Sequence, residues 1–177
     1  MSTSTRWFVA LGAMAAVVAT APNIQAQSAK LDDPTIVAIF DGANTYDIEA
    51  AALAEKKAKS HDVHEFAEML QRDHRAVRQQ GRDLAASLKV TPTPPANFAL
   101  AKAHVDAMTR LRGLSGTAFD RAFLQNEVDF HNAVIDAMTK TLLPAIQNAQ
   151  LKDLVTKVAP AFVAHRDRAQ SLLDHLK

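Results

Sequence analysis

From residue 34 onward, apolar side chains recur along the chain at alternating steps of three and four, the period of one face of a helix. A first stripe reads Ile36, Phe40, Ala43, Asp47, Ala50 and Ala54. Asp33 can cap this helix, with Pro34 at its first position, and the pattern predicts a helix over 34–59. Val63, Ala67, Leu70, His74, Val77, Gly81, Leu84 and Leu88 predict a second helix over 62–88. The segment Thr91 to Asn97 (TPTPPAN) stops it, because closely spaced prolines cannot continue a helix. A shorter helical piece is expected over 98–112, ended by Gly113 and Gly116. Ser115 or Thr117 can cap the next helix, 117–142, with its stripe at Asp120, Leu124, Glu127, His131, Val134 and Met138. The last, 149–175, carries Leu151, Val155, Val158, Phe162, His165, Ala169, Leu172 and Leu176.

Four such helices bury their stripes against each other as a bundle. Short connections make two antiparallel hairpins, 34–88 and 117–175. The piece between them covers about 22 Å if helical, enough to run the length of the bundle. The expected fold is therefore all-α: a ferritin-like four-helix bundle with a long helical crossover between helices two and three.

Residues 1–26 follow another pattern. Arg6 precedes an uncharged run from Trp7 to Ala21, Pro22 breaks it, and Ile24-Gln25-Ala26 ends on a small residue. This is the layout of a secretory signal peptide, with cleavage expected after Ala26 and a bundle domain over 27–177. The run is shorter than the ~20 apolar residues of a membrane span, so no stable anchor is expected after cleavage. The expected destination is the periplasm or the medium. Twenty basic against 19 acidic side chains leave no electrostatic footprint for nucleic acid. The chain has no cysteine, which excludes disulfides, thiolate metal sites and thiol nucleophiles. Nothing in the pattern names a protein partner.

Each stripe is interrupted by an ionisable residue: Asp47, His74, His131 and His165, with Glu127 one turn before His131. Asp47 lies 13 residues before Ser60 and His74 lies 14 after it, so an antiparallel hairpin sets them at one height. His131 lies 14 residues after Thr117, which matches if helices two and three are parallel. A bare carboxylate among alanines and leucines costs several kcal/mol, roughly, and converging imidazoles relieve it. Two arrangements do so. Three neutral imidazoles and a carboxylate suit a divalent transition metal, whether zinc, copper or iron. Alternatively the four close a hydrogen-bond network with buried water. Asp73 and Asp120 flank the stripes, either as partners that orient His74 and His131 or as solvated and capping groups. His61 and His64 read as surface at a helix start, and His104 and His175 fall off the stripes.

No phosphate loop, dinucleotide fingerprint or nucleophile elbow is present, and Gly113-Leu114-Ser115-Gly116 is not one. The Glu-x-x-His pair of ferritin di-iron sites is absent too, since Phe130 stands three residues after Glu127.

From about Thr35 on, the chain resembles the exported bacterial domain-of-unknown-function family 4142, a ferritin-like four-helix group. The resemblance rests on Asp47-Ile48-Glu49 before Leu53-Ala54, and on Phe66-Ala67 with Met69 and Asp73-His74. Phe119-Asp120 with Phe123 and His131, then Pro160 with His165, complete it. It implies the fold and export and brings no established activity. The family usually carries glutamate where this chain has the shorter Asp47, and Glu127 is a spare carboxylate in its pattern. The expected function is a small exported metal-binding protein with His74, His131 and His165 as ligands and Asp47 either as the fourth ligand or as a partner that orients them. A non-catalytic structural or interaction bundle is the alternative, and a metal-dependent redox enzyme the third reading.

Overall fold

The computed structural model describes residues 31–176; the expected targeting segment, 1–26, lies outside them. The elements are α1 (Asp33–Lys57), α2 (His61–Ser87), α3 (Ala99–Arg112), α4 (Gly116–Ala137), a π-helical turn (Met138–Leu142), the single turn α5 (Leu143–Ala145) and α6 (Ala149–His175). There is no strand among the described residues, and none of their helices is long and apolar enough to cross a membrane.

Packing closes the bundle. α1 lies on α2 and α4 on α6, while α2 meets α6 and α1 meets α4. After α2 the chain returns to the start of α1, where Thr93 donates its amide proton to the carbonyl of Pro34 at 3.1 Å. α3 then follows α1 lengthwise. Phe98, at its start, sits over Gly42, where an added Cβ would fall 2.9 Å from the ring. At its end, Lys57 Nζ donates to the carbonyl of Arg112 at 2.7 Å. α3 is thus a helical crossover joining the two hairpins.

Two aspartates lock the ends. Asp32, not Asp33, caps α1, accepting from the amide of Thr35 at 3.0 Å. The Asp33 carboxylate instead accepts from the amides of Gln147 and Asn148, at 3.0 and 2.9 Å, before α6. At the opposite end Asp120 of α4 accepts from the amides of Lys59 and Ser60, at 2.9 and 2.8 Å, before α2. Each hairpin loop is therefore held by a carboxylate from the other hairpin, which supplies acceptors for amides that have no intrahelical partner.

The π-helical turn departs from the expected plain helix to 142. It precedes Pro144, which has no N–H to give the carbonyl one turn back, and widened winding accommodates that loss. Met138 and Leu142 stay buried through it.

The core is split. One apolar cluster, around Leu70, Leu111, Phe119, Phe123 and Leu124, fills the end near Ser60. The other, around Ile36, Phe40, Leu151, Val155 and Phe162, fills the end near Asp33. Between them along every long helix lie buried polar residues: Asn44 and Asp47, His74, Glu127 and His131, and His165.

Candidate metal centre

Helical spacing carries Asp47, His74, Glu127, His131 and His165 inward, because each takes a stripe position otherwise filled by an apolar residue. Asp47, His74, Glu127 and His131 are at most 2 % exposed, and His165 is 6 % exposed. The three imidazole rings pack edge to face or tilted, with centroids 5.0 to 5.6 Å apart. Phe162 closes the layer from the α6 side, with its ring 5.1 Å from that of His74 and 5.9 Å from that of His131.

Hydrogen bonds on the far side of each ring decide where its proton sits. Asn44 Nδ2 donates to the carbonyl of Phe40 at 2.8 Å, which turns Asn44 Oδ1 toward His74. His74 Nδ1 lies 2.9 Å from that oxygen and donates to it, so Nε2 keeps a lone pair. His131 Nδ1 donates to the carbonyl of Glu127 at 2.9 Å and also leaves Nε2 bare. His165 Nε2 donates to Asp73 Oδ2 at 3.2 Å, leaving Nδ1 bare.

The bare atoms face one another. His165 Nδ1 stands 3.2 Å from His74 Nε2. Asp47 Oδ2 is 3.3 Å from His74 Nε2 and 3.5 Å from His131 Nε2. One nitrogen from each of the three histidines lies within 4.8 Å of the others, and Asp47, Glu127 and His131 form an overlapping group of the same tightness. Both carboxylate oxygens of Asp47, Glu127 Oε2 and His131 Nε2 are buried without a hydrogen-bond partner. Such orphaned buried groups are costly, ~1–3 kcal/mol each, unless something satisfies them.

Electrostatics agrees with the geometry. Burial holds Asp47 well above the usual carboxylate range, and the neighbouring Glu127 adds to this. Burial pushes Glu127 up to about 8. The same desolvation lowers His131 to about 3 and holds His74 well below the usual histidine range, the other imidazoles adding to the effect on His74. His165 is lowered by burial, opposed by Asp73. The layer therefore presents neutral imidazoles, the form that donates a lone pair to a metal.

The structure brings together Asp47, His74, His131 and His165, and it adds Glu127 to their number. Asp73 is a partner of a layer histidine, but of His165 rather than His74. Asp120 does not reach His131, because its carboxylate is spent on Lys59 and Ser60, the capping role. The expected capping role of Asp33 is likewise corrected, since its carboxylate serves the loop before α6. Asn44, the partner of His74, escaped the sequence pattern. Its only signal there is its place one turn before Asp47 on the inward face of α1.

The described residues thus define a class: all-helical bundles with a buried layer of imidazoles and carboxylates across the core. Residues 18–172 match the family described as "Domain of unknown function (DUF4142)", and the chain belongs to that family. No curated protein and no solved structure matches the chain.

Proposed function

We propose that the protein is an exported, ferritin-like metal-binding bundle whose central layer holds one divalent transition-metal ion, zinc, copper or iron. His74 Nε2, His131 Nε2, His165 Nδ1 and Asp47 Oδ2 are its ligands. The observation that carries the reading is the spacing of proton-free atoms. Ligands bound tetrahedrally at ~2.0–2.2 Å stand roughly 3.3–3.6 Å from one another. Three of the six separations among these atoms are 3.2, 3.3 and 3.5 Å, and one nitrogen from each of the three histidines lies within 4.8 Å of the others. A hydrogen-bond network needs a proton between such atoms; the three rings spend theirs on far-side bonds, so without an ion it would have to come from the carboxyl of Asp47 or Glu127. Charge supports a divalent ion, since two positive charges balance the carboxylates of Asp47 and Glu127. Asn44, the Glu127 carbonyl and Asp73 then orient the ligand rings. The N-terminal pattern of Arg6, the apolar run and Ala26 supports export.

Elemental analysis of native protein purified without a nickel column tests the metal. One ion per chain is expected, and none in a folded His74→Ala variant. Native protein with metal at background level and an intact helical fold overturns the reading in favour of a purely structural polar layer.

A further inference from the structure

The first half of α3 packs only loosely on the bundle. None of residues 99–107 is buried, and Val105 is 61 % exposed. The helix is held at its ends by Phe98 over Gly42 and by buried Met108 and Leu111, and in its middle by His104, which stacks on Tyr46 and lies 2.7 Å from Glu49 Oε2. Beneath it lie two cavities. One, of about 170 Å³, is lined by Tyr46, Asp47, Ala103, His104, Glu127 and Ala133, among others. The second, of about 230 Å³, is almost wholly apolar, with Phe40, Ala43, Phe98, Val134, Met138 and Phe162 in its wall. They share Leu100 and Ala133, so they adjoin beneath the first turns of α3.

This space has the composition of a small-molecule site: apolar walls and a few convergent polar groups. Two of the polar groups are unsatisfied. Glu127 Oε2 and Asp47 Oδ1 are buried with no hydrogen-bond partner, and both residues line the smaller cavity. Four of the five layer side chains have assigned tasks in the proposed centre; Glu127 has none. The mouth is edged by exposed Ala103 and Ala133, whose methyl groups leave a gap between α3 and α4.

We propose that the space beneath α3 binds a small, uncharged and mostly apolar molecule with one O–H or N–H donor. Its apolar body would fill the cavity beside Phe40, Met138 and Phe162, and its donor would meet the Glu127 carboxylate, whose unpartnered oxygen is buried behind the cavity wall and would turn outward to reach it. The lack of charge rests on the metal reading above, in which the ion already balances Asp47 and Glu127. Any further charge would be buried unpaired. A hydrogen bond to a buried carboxylate is among the stronger kinds, so the donor should be worth about tenfold in affinity or more.

The test uses 1-naphthol, naphthalene and 1-naphthoate as probes in fluorescence titrations of the protein, with zinc content measured beforehand. With zinc loaded, naphthol should bind at least tenfold more tightly than naphthalene, and naphthoate most weakly. Glu127→Leu should keep naphthalene binding and lose the preference for naphthol. Ala133→Phe, which fills the junction of the cavities, should weaken naphthol at least tenfold while far-ultraviolet circular dichroism is unchanged. Equal affinity for all three probes, no saturable naphthol binding, or full binding by Ala133→Phe overturns the proposal. Failure of zinc, copper and iron alike to load overturns the metal reading instead. The metal-free protein then decides the cavity separately: naphthol bound ahead of naphthoate supports it, and neither bound overturns it.

Discussion

His131 Nε2 and Asp47 Oδ2 face each other at 3.5 Å in the centre of the bundle, and the imidazole has no proton to put between them. His131 spends its one proton on the Glu127 carbonyl, so the pair is joined either by a cation or, in the metal-free protein, by a proton on the Asp47 carboxyl, which burial favours.

Removal of that cation should therefore be felt as lost stability. A ligand bound only to the folded state adds ~2.7 kcal/mol at a hundred times its Kd. The thermal midpoint of the native protein should fall by several degrees with chelator and return with added metal. His131→Ala should melt at one temperature with or without chelator. A native midpoint indifferent to chelator, in protein shown to contain metal, would contradict this.

The metal-free protein should be less stable at pH 8 than at pH 6.5. Glu127 is raised from 4.5 to about 8, so across that window the folded state holds a proton that the unfolded state has released. Stability is lost as pH rises through it, at up to ~1.4 kcal/mol per pH unit. His131, lowered to about 3, acts in the opposite sense: between 3 and 6.5 only the unfolded chain is protonated, and stability falls as pH falls. Above 6.5 the carboxyl contribution remains alone. Urea titrations of metal-free protein at the two pH values measure it, and metal loading should flatten the loss.

Asn44→Ala should weaken metal binding without removing a ligand. It deletes the acceptor that fixes the proton of His74 on Nδ1. Loss of an orienting partner of this kind typically costs 10- to 100-fold in affinity, roughly. Competition with a chromophoric chelator reads the affinity directly, and wild-type affinity in the variant would assign Asn44 a packing role only.

Asp33→Ala and Asp120→Ala should each destabilise by ~1–3 kcal/mol, since each strands two backbone amides at a hairpin loop. Metal content should not change, because both residues lie at the bundle ends. Denaturant midpoints together with elemental analysis separate these variants from those of the layer.

Export should leave a mature chain that begins at Gln27 or within a few residues of it. Intact-mass measurement of protein recovered outside the cytoplasm reads the boundary. A full-length species held in membranes would refute it.

The sequence by itself determined the helices, because the three-and-four alternation of apolar positions is a local property that survives into any packed state. It also determined the level of the polar layer. Once Asp47, His74 and His131 are counted from their loops, helix rise fixes their height. Partner choice is not local, and only the tertiary structure decided it. Asp33 and Asp120 each look like a cap for their own helix or a solvated group, yet each reaches across to the opposite hairpin, because the bundle brings a loop with free amides within range. Asp73 serves His165 rather than its neighbour His74, since successive residues on a helix point in different directions. Asn44 reads as an ordinary helix position until the rotation of α1 sets it beside His74 of α2, and Glu127, legible in the sequence as a spare carboxylate, gains its neighbour Asp47 only across the bundle. The cavity beneath α3 depends on how closely one helix seats on two others. That is a balance of side-chain volumes across three elements, and no stretch of sequence encodes it alone.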